Sequence, residues 1–152
     1  MGTFLSTYKK VTKYPFGKFI FNKGIGFVSP FFGKLRPNVI DLRPAFCIVE
    51  MKDRHGLRNH IGTINAGAMC SLAELTAGMA VDAAIPAHLR WLPKGMSVSY
   101  LKKAKGTLRA KCEFDPGLLQ QGDVVIPIEM KDTENDNVFS AEIIFYISEK
   151  KA

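Results

Sequence analysis

Residues 65–84, NAGAMCSLAELTAGMAVDAA, constrain the fold more than any other stretch. They have helix length, contain no proline and stop before Pro86. Asn65 suits the cap, because its side-chain oxygen can accept from first-turn amides. Small residues dominate, and Glu74 and Asp82 are the only charges. A helix this weakly polar all round is buried on most sides. Its small side chains let it lie close against a sheet. It is expected to be a central helix that other elements enclose.

The enclosing elements read as strands. Residues 45–51 are apolar and β-branched, with Pro44 near their start, and 55–64 form a loop. After the helix, 95–103 (GMSVSYLKK) alternates Met96, Val98 and Tyr100 on one side with Ser97, Ser99 and Leu101 on the other. Segments 107–114, 124–131 and 138–148 complete the set, the last two as a hairpin around TENDN. Helices, strand, loop, buried helix and four antiparallel strands make an α+β answer. One sheet wraps one helix, and the sheet's other face needs cover. A chain of 152 residues, 47% hydrophobic and 23% charged, fits one structural domain.

The charge is uneven. Up to Asn38 there are seven Lys or Arg (Lys9, Lys10, Lys13, Lys18, Lys23, Lys34, Arg36) and no Asp or Glu. The remainder has 21 − 7 = 14 basic residues against 14 acidic ones, so the net +7 lives in the N-terminal quarter. The high pI describes one segment, which argues against a dedicated nucleic-acid partner. That segment also holds Phe4, Phe16, Phe19, Phe21, Phe27, Phe31 and Phe32. Two helices are expected over 3–35, the second short. They either cover the main domain with lysines facing water or lie on a membrane surface. Lysines interrupt every early apolar run, so no signal peptide is expected, and no stretch reaches the ~20 apolar residues of a span. The expected layout is a helical extension, 1–37, on a main domain, 38–152.

Cys47, Cys70 and Cys112 form no CxxC pair and read as reduced thiols of a cytoplasmic protein, with Cys70 as core packing. His55, His60 and His88 meet no ligand spacing, so no metal is expected.

The candidate chemistry gathers at the central helix. The first-turn amides of Ala66 and Gly67 lack intrahelical acceptors, and the helix dipole adds partial positive charge there. An oxygen gaining negative charge is stabilised at such a place. Glu74 follows Gly67 by seven residues and Ser71 by three, so the three share a helix face. Glu74 could act as a general base or a nucleophile. It could equally be a buried acid paired with backbone, Arg43 or Arg90. Asn59 and Asn65 could orient a carbonyl or a water; their plainer roles are a loop-closing bond and an N-cap. Lys102, Lys103 and Lys105 would suit the phosphates of a ligand, or simply solvate a strand end.

These residues carry a resemblance. Asn59, Gly62-Thr63, Asn65-Ala66-Gly67 and Glu74 keep the spacing of a motif that runs Asn, Gly-Thr, His-Gly-Gly and an acid nine residues after the His. The stretch SVSYLKKAKG is also similar. The motif belongs to small hotdog-fold acyl-CoA thioesterases of the phenylacetate-pathway and 4-hydroxybenzoyl-CoA types. The whole chain most resembles a hotdog family of unknown function that has a basic N-terminal helical segment. It departs from the motif at Asn65 and Ala66.

The resemblance implies a curved antiparallel sheet wrapped around a long helix. It implies thioester hydrolysis with Glu74 as base or nucleophile, helix N-terminal amides as oxyanion hole, and no cofactor beyond the coenzyme A of the substrate. It also implies a homodimer, with dimers able to pair again, in which Asn59, Asn65 and Ala66 of one copy face Glu74 of the other. The alternative is a non-catalytic acyl-CoA or lipid-binding hotdog protein at membrane surfaces. A dehydratase or hydratase is disfavoured, since those need a histidine where Asn65 stands.

Overall fold

The computed structural model describes residues 3–150; the extreme ends of the two expected segments, 1–2 and 151–152, lie outside them. Six strands form one antiparallel sheet: β1 (Asn38–Arg43), β2 (Phe46–Met51), β3 (Leu89–Tyr100), β4 (Leu108–Glu113), β5 (Gly122–Lys131) and β6 (Asn137–Glu149). Their order across the curved sheet is β1-β2-β4-β5-β6-β3. Helix α4 (Ala66–Ala84) packs against all six strands, as a nearly uncharged helix must. Its buried side chains, such as Leu72, Met79 and Val81, meet the inward residues Leu108, Ala110 and Cys112 of β4 and Ile126, Ile128 and Met130 of β5 in one core.

The described residues leave the outer face of the sheet uncovered, where a cover was expected. Arg109, Lys111 and Glu113 alternate outward along β4, and Arg109 bonds the cross-strand Glu50 carboxylate at 2.5 Å. An antiparallel sheet can leave one face solvated when that face is charged.

Two strands differ from the sequence expectation, one absent from it and one starting earlier than it. The first is β1, which pairs with β2 through a tight turn at Pro44-Ala45; Ala45 takes a left-handed φ of 58°. That turn carries neither Gly nor Asn, the usual signals. The second is β3, which starts at Leu89 and runs through Pro93. Proline is tolerated there because β3 is an edge strand, and a bulge follows between Pro93 and Gly95. Pro127 sits inside the sheet by a different device: the β4 ladder ends at Cys112–Ile128, one residue short of it.

Before the sheet come three helices, one more than expected: α1 (Thr3–Val11), α2 (Gly17–Val28) and α3 (Pro30–Gly33). Gly24 and Gly26 do not break α2; the interruptions fall at Pro15-Phe16 and Ser29-Pro30. Gly26 and Gly33 are where α2 and α3 touch, and a Cβ on Gly33 would lie 2.6 Å from the Gly26 Cα. The extension is part of the core. Leu5, Tyr8, Phe21, Ile25 and Leu35 are buried, and the Tyr8 and Phe21 rings meet edge to face at 5.0 Å. At about 2 kcal/mol each, these side chains stabilise on the scale of a whole domain's net stability. Asn22 also accepts from the Val39 amide at 2.9 Å, tying α2 to β1. Asp82 of α4 accepts from the Phe4 amide in the first turn of α1 at 3.1 Å.

Candidate functional site

The chain enters α4 through a turn that Asn59 closes. The Asn59 side-chain oxygen accepts from the amides of Ile61 and Thr63, both at 3.1 Å, and its amide nitrogen donates to Thr63 Oγ1 at 2.8 Å. Gly62 in this turn has φ 77°, which favours glycine. Thr63 is buried, and the Ile64 amide donates to the Ala104 carbonyl at 2.9 Å. Asn59 therefore performs the loop-closing role. The Ala104 bond brings the loop carrying Lys102, Lys103 and Lys105 beside the start of α4. Lys102 itself is paired with Asp136 at 2.8 Å, which raises the ammonium pKa, while Lys103 and Lys105 are exposed.

Asn65 caps α4. Its side-chain oxygen accepts from the Gly67 amide at 2.8 Å, and its carbonyl accepts from Ala68 and Met69. Of the two amides expected to receive an oxyanion, that of Gly67 is thus already bonded. The Ala66 amide has no acceptor among the described residues, and Asn65, Ala66 and Gly67 are all exposed.

Along its first turns α4 leaves one stripe open, made of Gly67, Cys70, Ser71 and Glu74. Ser71 Oγ donates back to the Gly67 carbonyl at 2.8 Å. Glu74 is half-buried and has no hydrogen bond or ion pair among the described residues. Arg43 pairs with Asp41, and Arg90 donates to Ser148, so neither suggested partner reaches it. Further along, the stripe closes where Trp91 packs over Gly78: a Cβ there would lie 3.1 Å from the indole.

Cys70, expected as core packing, packs against the core from a half-buried position on the stripe, with its sulfur 3.2 Å from the Tyr100 hydroxyl. This hydrogen bond raises the Tyr100 pKa, and partial desolvation adds to it. Sequence reasoning missed Tyr100 as a site neighbour, although its alternation with Met96 and Val98 pointed it to the α4 side. The stripe thus opens beside β3, whose other edge pairs with nothing among the described residues. Cys47 and Cys112 are fully buried and opposite each other on β2 and β4. No group of three His, Cys, Asp or Glu side chains among the described residues could hold a metal ion.

The model of the family described as "Domain of unknown function (DUF4442)" matches residues 17–147. The chain belongs to this family. The DUF4442 match begins at α2, so most of the basic segment is included. The crystal structure of genomics APC5556 is 35% identical, with a TM-score of 0.87, over 97% of this chain and 99% of that one. PA5026 from Pseudomonas aeruginosa, of unknown function and called a "Probable Thioesterase", aligns at 20% identity and TM-score 0.76, over 85% of this chain and 93% of that one. A hypothetical thioesterase from Streptococcus pneumoniae, solved with coenzyme A, aligns at 19% and 0.63, over 76% and 88%. No curated protein sequence matches this DUF4442 chain. The likenesses establish the hotdog fold, a curved sheet around a long helix.

Proposed function

We propose that the protein hydrolyses an acyl-CoA thioester at the open stripe of α4. The observation that carries this reading is Glu74: a half-buried carboxylate without a partner among the described residues, on the helix whose first amide, that of Ala66, is likewise unbonded among them. Coenzyme A in the hypothetical thioesterase of Streptococcus pneumoniae supports the substrate class.

Two copies join along the unpaired edge of β3, so that Asn65 and Ala66 of one approach Glu74 of the other. Water attacks the thioester carbon while Glu74 takes its proton. The oxyanion receives the Ala66 amide, a donor worth ~3 kcal/mol in comparable sites. Collapse expels the thiolate, and Glu74 returns the proton to sulfur. In the nucleophilic variant of this path, Glu74 attacks first and water cleaves the resulting anhydride. Lys103 and Lys105 meet the coenzyme A phosphates at the mouth.

The assay follows release of free coenzyme A thiol from a panel of acyl-CoAs. Glu74→Gln, which keeps the shape, lowers the rate at least about 100-fold. Absence of turnover by the wild type, or an equally active Glu74→Gln, overturns the reading. The capped Gly67 amide favours a second reading, acyl-CoA binding without hydrolysis. Calorimetry showing saturable binding with no product would select it.

A further inference from the structure

Helix α2 is apolar on both sides, yet only one side is packed. Phe21 and Ile25 face the core. On the opposite side Phe19 is 63% exposed and Phe27 92%, with Phe16 and Ile20 beside them. Half of the large apolar side chains that the described residues leave exposed fall between Tyr14 and Phe31. Such concentration marks an interaction surface. Lys23 stands among these rings, its ammonium 5.6 Å from the centre of the Phe19 ring, while the Lys18 ammonium donates to the Ile40 carbonyl of β1 at 3.0 Å.

Next to this face a groove of about 1060 Å³ opens between α2–α3 and the ends of β1 and β2. Lys23, Lys34, Arg36 and Lys52 line it and form no ion pair among the described residues. Its two acids, Glu50 and Asp53, are already bonded to Arg109 and Arg58.

We propose that α2 and α3 dock the protein on an anionic lipid bilayer. Phe16, Phe19, Ile20 and Phe27 enter the boundary between headgroups and acyl chains, and the groove cations meet lipid phosphates. With 12 residues, α2 is about 18 Å long. It is too short to cross, so it lies in the plane of the interface. The charge selects this partner over a second copy. A self-complementary contact would bring together two segments that each carry seven cations and no acid up to Asn38. The inference is independent of the catalytic reading.

Removing the segment is a poor test, because Leu5, Tyr8, Phe21 and Ile25 belong to the core. Point variants of exposed rings avoid that problem. The full chain is floated with vesicles of phosphatidylcholine alone or of phosphatidylcholine with phosphatidylglycerol. The wild type is expected to float with the anionic vesicles at low salt, and to stay behind with neutral vesicles or at high salt. Phe19→Ser with Phe27→Ser lowers the floating fraction at least about tenfold at an unchanged melting temperature. Phe27→Ser alone serves should the pair fail to fold. Wild-type protein that stays behind from anionic vesicles at low salt overturns the proposal, as does a folded Phe variant that floats equally well. A wild-type oligomer that the Phe variant dissolves, with no flotation, assigns the face to a second copy and also overturns it.

Discussion

The side-chain oxygen of Asn65 holds the amide of Gly67 at 2.8 Å, and so decides which first-turn donor of α4 stays available. The resemblance placed Asn65 where a histidine stands in related thioesterases. In this chain the residue caps its own helix.

Replacing Asn65 by Ala therefore costs stability, about 1 kcal/mol. Asn65→Ser, which keeps an acceptor, retains most of it. Urea unfolding of the two variants beside the wild type measures the difference. Equal midpoints for Asn65→Ala and wild type would show that the cap contributes nothing.

Asn59 holds its turn through both ends of its amide. Asn59→Ala strips the acceptor from the Thr63 amide, which belongs to a buried residue, and costs about 1–3 kcal/mol. Asn59→Asp keeps that acceptor but loses the donor to Thr63 Oγ1, so its stability falls between the two. Thermal melts rank the three proteins; an Ala variant as stable as the Asp variant contradicts the assignment.

The three thiols differ in reactivity. Burial raises the Cys47 pKa far above the usual value and pushes that of Cys112 up to about 12, so neither supplies thiolate near neutral pH. Cys70 is half-buried on the open stripe. Native protein treated with iodoacetamide at about pH 8 carries one label, on Cys70, and urea releases the other two sites. Peptide mass spectrometry reads this directly. Native labelling of Cys47 or Cys112 at the rate of Cys70 is the contrary result.

Asp53 gives stability an acid limb. The hydrogen bond from Arg58 lowers its carboxyl pKa, with the Gly106 amide also contributing, against some opposing desolvation. A pKa lower in the folded than in the unfolded chain means stability that is present above about pH 4 and lost as pH falls through the folded value. Asp53→Asn lacks this component, so its urea midpoint falls less than that of the wild type below about pH 4. Parallel curves for the two proteins would remove Asp53 from the account.

Helix α4 and its cap were legible because nothing competes with them: no proline, almost no charge, and an asparagine at the start. Strand β1 was not, because its turn places Ala45 in a conformation that Gly or Asn usually signals. The first half of β3 was hidden by Pro93, which only an edge position tolerates. At the site, spacing put Gly67, Ser71 and Glu74 on one face, as found. It could not reveal that Cys70 meets Tyr100, since that depends on rotamers and on a contact 30 residues away.

The bond from the Phe4 amide to Asp82 joins positions 78 residues apart. At roughly 5–20 residues per second of synthesis, α1 waits about 4–16 s for the helix that secures it. Throughout that interval a phenylalanine-rich, acid-free segment lacks the helix to which its first turn is fastened.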